Sequence, residues 1–340
     1  MHAPEHTPPC GHPSREGIRA GEDPLSRGVA RSDGVCSAEH SQTNALGSAR
    51  CTLFFLSLVL TGCVSRVPPI ETGVIERTLP EGPVRGLWAK VHLDRRGVEI
   101  LVTKPLAPDS ANPPGTEARL LTVAKWAEAE HTTLAVNANF FVGAVKPAAG
   151  EKDPGWFANR PVDLRGLSLS DGVVISPPRV VAGAGDPAVV FQRDGRARVA
   201  HVTDKDLAGV IDAVAGLGPE DHGKEPGSFL VTAGRNTGAT ALVQPAVRHP
   251  RTAAGVTADG RTLILAVVDG RQPEHSIGVT LPELADILIG LGAVDAINLD
   301  GGGSSTFIYR RPDGTLLTNQ APGGTWRPVG NHLGVRVKAK

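Results

Sequence analysis

One segment, residues 262–300, constrains the fold of this chain more than any other. The apolar run TLILAVV ends at Asp269-Gly270, and the shorter run AVDAINL ends at Asp300-Gly301. Between them, TLPELADILIGLG carries helix signals, because Thr280 and Glu283 match a capping box and apolar residues recur at helical spacing. A strand, a helix and a strand in this order predict two parallel strands of one sheet, joined by a right-handed crossover.

The same order predicts where the two aspartates lie. Parallel strands place their carboxyl ends at one edge of the sheet, and open α/β sheets bind ligands at that edge. Neighbouring strands lie about 4.8 Å apart, or about twice that with one strand between them. Either spacing places Asp269 and Asp300 across one substrate bond. The alternative interpretation is that both Asp-Gly pairs are ordinary β-turns.

The remainder of the chain from residue 81 is rich in strand signals. Asp-Gly separates apolar runs at four further positions, which is typical of hairpins: residues 171, 194, 259 and 313. Strands are also predicted in LWAKVHL, VEILVT and TTLAVNANFF, and a helix from about Thr116 to Ala129. These signals predict the α+β class: one β-rich domain, residues 81–338, with a mixed sheet, Asp-Gly hairpins and the crossover.

Charge and residue spacing exclude several classes of function. The 35 basic and 35 acidic side chains balance, so no positive field would gather a nucleic acid, and we expect no such partner. All four cysteines precede residue 64, so the later chain folds without disulfides or thiolate metal ligands. The histidines lack HExxH or paired zinc spacing. We predict no zinc and no organic cofactor.

Residues 50–63 resemble a lipoprotein signal segment. A basic residue precedes the apolar stretch CTLFFLSLVL, which is short for a bilayer span, and LTGC ends at Cys63 like a bacterial lipobox. We therefore expect lipid on Cys63, a membrane anchor, and a location in the bacterial cell envelope facing the periplasm or exterior. Residues 1–49 are then a disordered or mis-assigned extension, and residues 64–80 a tether. The alternative is a buried apolar strand.

The sequence after Asp300 is suited to hold an anion. The loop contains glycines that admit close approach of a ligand, and serines that add donors: Gly301, Gly302, Gly303, Ser304 and Ser305. It is no Walker A loop, since no lysine follows the glycines. Arg251 precedes the strand that leads to Asp269, and Arg271 follows it. Two guanidiniums near this loop favour a phosphate group over a neutral sugar, although a solvated surface role is the alternative for each.

Together these segments resemble the phosphodiester glycosidase family. The matching motifs occur in family order over roughly residues 80–337: NANFF (137–141), RHPRTAAGVT (248–257), LAVVDGRQ (265–272), GVTLPELADILIGLGAVDAINLDGGGSSTF (278–307) and RPVGNHLGV (327–335). The resemblance implies hydrolysis of a sugar-1-phosphodiester, such as a GlcNAc-1-phosphodiester, in envelope or extracellular glycan metabolism. It also implies a pocket containing or adjoining Asn139, Arg251, Asp269, Arg271, Asp300 and Asn331. Asn139 stands where the family often has glycine.

Roles for these residues follow from the chemistry of the bond. A phosphodiester leaving group is a weak base, so its cleavage depends more on charge neutralisation than on acid assistance. We expect Asp300 and Asp269 to be catalytic, and Arg251, Arg271 and the 301–305 loop to bind phosphate. We expect Asn139, Asn331 and His332 to contact sugar hydroxyl groups. For His332, the alternative is a structural role.

Two rival interpretations remain open at this point. In one, the chain is a non-catalytic lipoprotein that binds polysaccharide or assists exopolysaccharide assembly with the same cleft. In the other, the enzyme holds a hard cation, calcium or magnesium, on Asp269, Asp300 and Asn298, because oxygen ligands suit these ions.

Overall fold

Strands dominate the computed structural model, which describes residues 67–338 except 108, 110, 146, 148–150 and 219–226. The predicted extension, signal segment and lipidated Cys63 lie outside the described residues. Val64 to Lys340 form one compact unit. In the part of the chain that is described, no helix is long and apolar enough to cross a membrane.

The elements follow one another as β1 (Ile70–Leu79), β2 (Gly82–His92), β3 (Val98–Val102), β4 (Ala118–Arg119), α1 (Val123–Ala129), β5 (Leu134–Asn137), β6 (Phe141–Gly143), β7 (Pro161–Leu164), β8 (Ser168–Ser170), β9 (Val173–Ser176), β10 (Asp186–Gln192), β11 (Ala197–Val202), β12 (Val210–Ala215), β13 (Phe229–Thr232), β14 (Arg235–Asn236), β15 (Arg251–Val256), β16 (Thr262–Val268), α2 (Leu281–Gly290), β17 (Asp295–Asn298), β18 (Phe307–Arg310), β19 (Leu316–Thr318) and β20 (His332–Val337). This β-rich composition with few helices agrees with the predicted α+β domain.

The largest sheet has the order β1-β2-β16-β15-β17-β13-β14. β15 lies between β16 and β17 and pairs antiparallel with both, so β16 and β17 run in the same direction without touching. Helix α2 connects these two strands. The prediction of a mixed sheet is therefore wrong. β15 separates the two strands that run in the same direction, and the described strands pair only antiparallel.

Burial on both faces explains the continuous apolar run of β16. Leu263, Leu265 and Val267 join a core that this sheet shares with the two five-stranded sheets. The alternate residues, among them Ile264 and Ala266, pack in a second core with α2. A strand buried on both faces needs apolar side chains at every position, so it shows no alternation.

Helix α2 begins as the sequence predicts. The Thr280 hydroxyl accepts from the Glu283 amide at 3.3 Å, and the Glu283 carboxylate accepts from the Thr280 amide at 2.9 Å. Leu281, Leu284 and Leu288 are fully buried against the sheet. The four further Asp-Gly pairs each lie in the connection of an antiparallel hairpin.

Two predicted boundaries are wrong. Helix α1 starts at Val123 and not near Thr116, because residues 118–119 pair with β7 and Leu121 bridges to Val329. Residues 70–79 are not a tether, since they form β1 and pair with β2 along their whole length. Ile70 of this strand is buried in the shared core, so the folded region starts earlier than residue 81.

Candidate active site

A cavity of about 250 Å³ opens where β17 ends and β15 begins. Its lining contains the glycine loop and several predicted site residues: Phe140, Val243, Gln244, His249, Arg251, Arg271, Asn298, Asp300, Gly301, Gly302, Gly303 and Arg327. A larger cavity of about 450 Å³ contains none of the predicted residues, so size alone does not identify the site. We call the smaller one the catalytic cavity, after the predicted catalytic residue Asp300 in its lining.

The backbone at Asp300 is fixed by a residue from another sheet. The Asp300 amide donates to the Ala138 carbonyl at 3.0 Å, and its carbonyl accepts from the Asn137 side chain at 2.5 Å. The Asn137 side-chain oxygen Oδ1 in turn accepts from the Thr252 hydroxyl and the Thr306 amide. Because Asn137 is wholly buried, this network holds Asp300 in one position relative to the cavity.

Burial raises the pKa of the Asp300 carboxyl to about 6. The positive charge of Arg327, the Ser304 hydroxyl and the Gly301 amide oppose this effect by favouring the ionised form. The residue keeps some exposed surface and lines the cavity, so a ligand can reach it. A carboxylate with this pKa is ionised at neutral pH and accepts a proton more readily than an ordinary aspartate.

Arg271 and Arg327 lie against the glycine loop. A Cβ atom at Gly302 would stand 3.1 Å from the Arg271 guanidinium, and one at Gly303 would overlap the Arg327 guanidinium. Glycine at both positions therefore allows the two arginines to approach the loop backbone closely. Within the described residues neither arginine forms a salt bridge with a carboxylate. Their charges are available to an anionic ligand.

Arg327 is a site residue that the sequence analysis did not single out. It opens the motif RPVGNHLGV, which carried the family resemblance, and it lies 27 positions after Asp300 in the chain. No local pattern around residue 327 indicates that the chain returns to the glycine loop. The only available signal was its place in the motif.

Arg251 lines the catalytic cavity, but most of its donors serve the fold. Its guanidinium donates to four backbone carbonyl groups, those of Val243, Gln244, Val247 and Val279. Since a guanidinium has five N–H groups, about one remains for a ligand. The side chain is buried, and burial followed by the charge of Arg271 lowers its pKa to about 10. Arg251 therefore shapes the cavity wall more than it presents charge.

The structure does not bring Asp269 into the lining of the catalytic cavity. Its carboxylate accepts from His275 Nε2 at 2.8 Å, from the Asn319 side chain at 3.0 Å and from the Gln320 amide at 3.2 Å. These donors occupy both oxygen atoms of a buried side chain. Asp269 thus ties the 319–320 segment to the turn that presents Arg271, and the prediction of a direct catalytic role gains no support from its position.

The three residues predicted to contact sugar hydroxyls lie outside the cavity lining. The Asn139 amide donates to the Arg165 and Leu167 carbonyls, and its oxygen accepts from the Asn331 side chain at 2.9 Å. Both asparagines are buried. They join separate segments of the fold, so their polar groups are satisfied by protein and not by a ligand.

The contacts of His332 are those of a residue with a structural role, which was the alternative prediction for it. Its ring stacks on Trp126 with centroids 4.9 Å apart, and burial lowers its pKa to about 4. Nε2 lies 3.0 Å from the Leu121 carbonyl, which can only accept, so the proton of the neutral ring is on Nε2. Nδ1 then accepts from the Thr103 hydroxyl at 2.8 Å.

Asn298 has the features expected of a ligand-binding residue. It is wholly buried, it lines the catalytic cavity, and neither its amide nitrogen nor its oxygen has a hydrogen-bond partner among the described residues. Such a group is costly unless a ligand or water satisfies it. From the sequence, Asn298 was predicted only as a ligand of a cation.

His249 is the other titratable group near the carboxylate. Burial, and then the charges of Arg251 and Arg271, lower its pKa. Nε2 lies 2.6 Å from the Gln244 side-chain oxygen and Nδ1 lies 3.4 Å from the Arg271 guanidinium. A neutral ring with its proton on Nε2 satisfies both contacts.

The described residues do not assemble the ligand set that a calcium or magnesium site would need. In the described parts of the chain, no group of three or more His, Cys, Asp or Glu side chains could hold a metal ion. Asp300 and Asn298 share the catalytic cavity, whereas Asp269 is outside its lining.

Comparison with known proteins identifies the family of this chain. The family model for phosphodiester glycosidases matches residues 130–336, which include Asp300, both loop-facing arginines and Asn298. The chain belongs to the phosphodiester glycosidase family. The match confirms the family that the motifs indicate.

Individual relatives match this chain over only a part of their own length. The SPbeta prophage-derived uncharacterized protein YomE of Bacillus subtilis is 30% identical over 186 residues, 54% of this chain and 25% of that protein. The bovine N-acetylglucosamine-1-phosphodiester alpha-N-acetylglucosaminidase is 38% identical over 77 residues, 23% of this chain and 14% of the enzyme. The chain therefore spans a quarter or less of these relatives.

A solved structure shares the fold. The catalytic domain of the zebrafish N-acetylglucosamine-1-phosphodiester alpha-N-acetylglucosaminidase aligns with a TM-score of 0.54 and 21% identity, covering 81% of this chain and 85% of that one. At this identity the likeness shows a common architecture.

Proposed function

We propose that the protein hydrolyses sugar-1-phosphodiesters, of the GlcNAc-1-phosphodiester type, in glycan metabolism of the cell envelope or exterior. One observation carries the proposal. A carboxyl group with a pKa raised to about 6 lies in the same small cavity as two guanidiniums that form no salt bridge among the described residues, those of Arg271 and Arg327. Family membership supports the same substrate class.

The cavity suggests how the bond is cleaved. Arg271 and Arg327 bind the phosphate, since the amides of Gly302, Ser304 and Ser305 already donate to backbone carbonyl groups. This places the anomeric carbon beside Asp300. Water bonds to the anomeric carbon while Asp300 takes its proton. The bond between that carbon and the phosphate oxygen breaks, and its electrons stay on the departing phosphate monoester. The guanidiniums neutralise the developing charge, so no acid is needed at the leaving group.

A single carboxylate favours single displacement. Among the described residues, Asp300 is the one carboxylate in the lining of the catalytic cavity. A double displacement needs a nucleophile for its first step and usually a second carboxyl group as the base of its second step. We therefore predict that the sugar is released with inverted anomeric configuration. Proton NMR of the product in the first minutes decides this, and initial release of the retained anomer would assign Asp300 as a nucleophile instead.

The arginines provide the test of the substrate class. Each hydrogen bond to a charged group contributes about 1.5–3 kcal/mol, so Arg271→Ala or Arg327→Ala should lower kcat/KM on a sugar phosphodiester roughly tenfold to a hundredfold. Activity on an aryl glycoside of the same sugar should change little. Lysine should restore only part of the loss, because it lacks the planar fork. Arg196→Ala, in an exposed hairpin, is the matched control.

Equal losses on both substrates would show that Arg271 and Arg327 only shape the cavity. Binding of phosphodiesters without turnover, at every pH tested, would instead favour a polysaccharide-binding protein. The two results are distinguishable because the first needs measurable hydrolysis and the second shows none.

The proposed location depends on Cys63. We propose that lipid on this cysteine anchors the enzyme to the bacterial envelope, facing the periplasm or exterior. Cys63→Ala should release the protein from membranes or leave its signal segment uncleaved, as mass spectrometry and fractionation would show. Mature protein that retains residues 1–62 and carries no lipid would contradict this.

A further inference from the structure

The chain enters the fold at the end of the large sheet that lies opposite the catalytic cavity. Ile70 begins β1 and pairs with Val91 of β2, which pairs in turn with Leu263 of β16. At the other end of β16, Val268 pairs with Arg251, which lines the catalytic cavity. A strand rises about 3.4 Å per residue, so Leu263 and Val268 lie about 17 Å apart. The first strand therefore starts far from the cavity.

Little chain separates this end of the sheet from the proposed lipid. The described residues begin at Val67, and Cys63 precedes Val67 by four positions. An extended chain spans at most about 3.6 Å per residue, so Val67 lies within about 14 Å of the cysteine that the lipid holds at the bilayer surface. A domain of this length has a radius of gyration of about 18 Å. The reach is too short for the domain to turn its cavity end to the bilayer.

A cavity of about 880 Å³ borders the start of the described chain. Arg310 ends β18 and Arg311 follows it, and both arginines are exposed in the lining of this cavity. We name as the anchor face six residues of the lining, which come from the first described segment and from three later ones: Pro68, Pro69, His131, Arg310, Arg311 and Lys338.

Two arginines of the anchor face carry charges that no salt bridge neutralises. Within the described parts of the chain, neither Arg310 nor Arg311 has a carboxylate at salt-bridge distance. The ammonium group of Lys338, by contrast, pairs with the Glu99 carboxylate. The two guanidiniums are thus the groups of this face that are available to an external anion.

Acidic side chains near the anchor face do not occupy these arginines. Glu128 lines the same cavity, but no salt bridge joins it to a basic residue among those described. The Asp313 carboxylate accepts from the Thr315 amide at 2.9 Å and from its hydroxyl at 2.7 Å. These hydrogen bonds, and to a smaller extent the charge of Arg311, lower the pKa of Asp313.

The turn between β2 and β3 adds a third positive charge at this end. Arg96 is exposed there and forms no salt bridge within the described chain. The turn lies beside the anchor face, because the carbonyl of Gly97 accepts from the Lys338 amide at 2.9 Å and the His92 amide donates to the Pro69 carbonyl at 2.9 Å. Three arginines without salt bridges then stand against two such carboxylates.

We infer that the anchor face seats on the anionic headgroups of the bilayer that holds the lipid, so that the catalytic cavity opens away from the membrane. The inference rests on the lipid anchor of the proposed function. Guanidiniums form charge-assisted bonds with phosphate groups, and each basic side chain near an anionic surface favours binding about fivefold. An enzyme seated in this way presents its cavity to glycans in the surrounding space and not to substrates embedded in the same leaflet.

A fluorescent label at each end of the molecule tests the inference. The other cysteines, at positions 10, 36 and 51, precede the lipidated Cys63, so an introduced cysteine is the one free thiol of the proposed mature protein. Pro312→Cys places a label next to Arg311. Pro80→Cys places the matched label in the turn between β1 and β2, at the cavity end of the sheet. Both prolines are exposed.

The labelled lipoprotein is reconstituted in vesicles of phosphatidylcholine, with or without phosphatidylglycerol, and quenched with acrylamide, which is neutral. The label at position 312 should be protected only on the anionic vesicles, and high salt should abolish this protection by screening. The label at position 80 should be quenched equally on both kinds of vesicle.

Replacing both arginines should abolish the protection. Arg310→Gln with Arg311→Gln should weaken the seating equilibrium about twentyfold, because each charge contributes about fivefold. Quenching at position 312 should then equal that on neutral vesicles. The matched control is Arg77→Gln with Lys152→Gln, which removes two exposed basic side chains outside the anchor face. This control should keep the protection.

Several results would overturn the inference. One is equal quenching at position 312 on neutral and anionic vesicles, and another is equal loss of protection in the control variant. Protection that increases with the density of protein on the vesicle would assign the anchor face to a second copy of the chain instead.

Failure of the proposed function gives a different result. The quenching assay needs no turnover, so a seated but inactive protein would refute hydrolysis and leave the inference standing. The mass of the mature protein, measured before reconstitution, shows whether Cys63 carries lipid. An unmodified Cys63 would overturn the proposed location and the seating together, whereas lipid on Cys63 without protection at position 312 would overturn the seating alone.

Discussion

Replacing Asp300 by asparagine should stabilise the protein at neutral pH while removing its activity. Burial raises the pKa of this carboxyl from the ordinary value of 3.8 to about 6. At about 1.4 kcal/mol per pKa unit, with allowance for water in the open cavity, ionised Asp300 costs the folded state roughly 1 to 3 kcal/mol. Asparagine has a similar shape and carries no charge, so the variant avoids this cost.

The pH dependence gives the sign of the effect. Between about pH 4 and pH 6 the folded protein holds a proton on Asp300 that the unfolded chain has released, so wild-type stability falls as pH rises through this window. The cost is complete above the folded-state pKa. Asp300→Asn and wild type should therefore differ little below pH 4 and most at pH 8. Other carboxyl groups whose pKa is raised, such as that of Asp212, are present in both proteins, so their contributions cancel in the difference.

Urea unfolding at pH 4 and pH 8 measures this difference, with Asp194→Asn as the control. Asp194 lies in an exposed hairpin, where its carboxylate accepts from the Arg196 amide at 3.0 Å and lies 3.7 Å from the Arg196 guanidinium. Its replacement should give only a small change in the free energy of unfolding. If Asp300→Asn were no more stable than wild type at pH 8, the carboxylate would not be desolvated, and the physical basis for its role would be wrong.

Three further predictions concern the surrounding residues. Arg251→Ala should lower the free energy of unfolding by roughly 3 to 5 kcal/mol, because four carbonyl groups lose their donor, whereas Arg271→Ala should leave it almost unchanged; urea titration compares them. The acid limb of kcat/KM should have an apparent pKa near 6, and Arg327→Gln should shift it to higher pH by removing the charge that favours ionised Asp300. Asp269→Asn should lower kcat while retaining measurable turnover, and it should also reduce Tm, because the substitution loosens the turn before Arg271. If the activity of this variant were as low as that of Asp300→Asn, Asp269 would have a direct catalytic role.

Local signals in the sequence predicted much of the fold. The Thr280–Glu283 capping box and the hairpin glycines depend on residues within a few positions, and such interactions can be read from a short window. The end of β17 was predictable for the same reason. The pairing of strands was not, because β15 inserts between β16 and β17 through contacts that no local pattern specifies.

The site could be predicted only for residues that stay near the sheet edge. Asp300 and Arg271 follow strand ends directly, so their positions follow from the topology. Asp269 also follows a strand end, but its side chain bonds to Asn319, about fifty residues later in the chain, and this decides its direction. Asn139 and Asn331 have the composition of ligand contacts, yet each satisfies buried backbone groups of the fold.

Hydrolysis of a sugar-1-phosphodiester by wild type, Asp300→Asn and Asp194→Asn tests the central claim most directly. The measured quantity is kcat at pH 7.5, from release of reducing sugar and phosphate monoester. Wild type and Asp194→Asn should turn over at equal rates, and Asp300→Asn should be slower by at least about a hundredfold, the lower range for loss of a general base. Equal rates for all three proteins would show that Asp300 only closes a turn after β17, and the proposed catalytic role would be wrong.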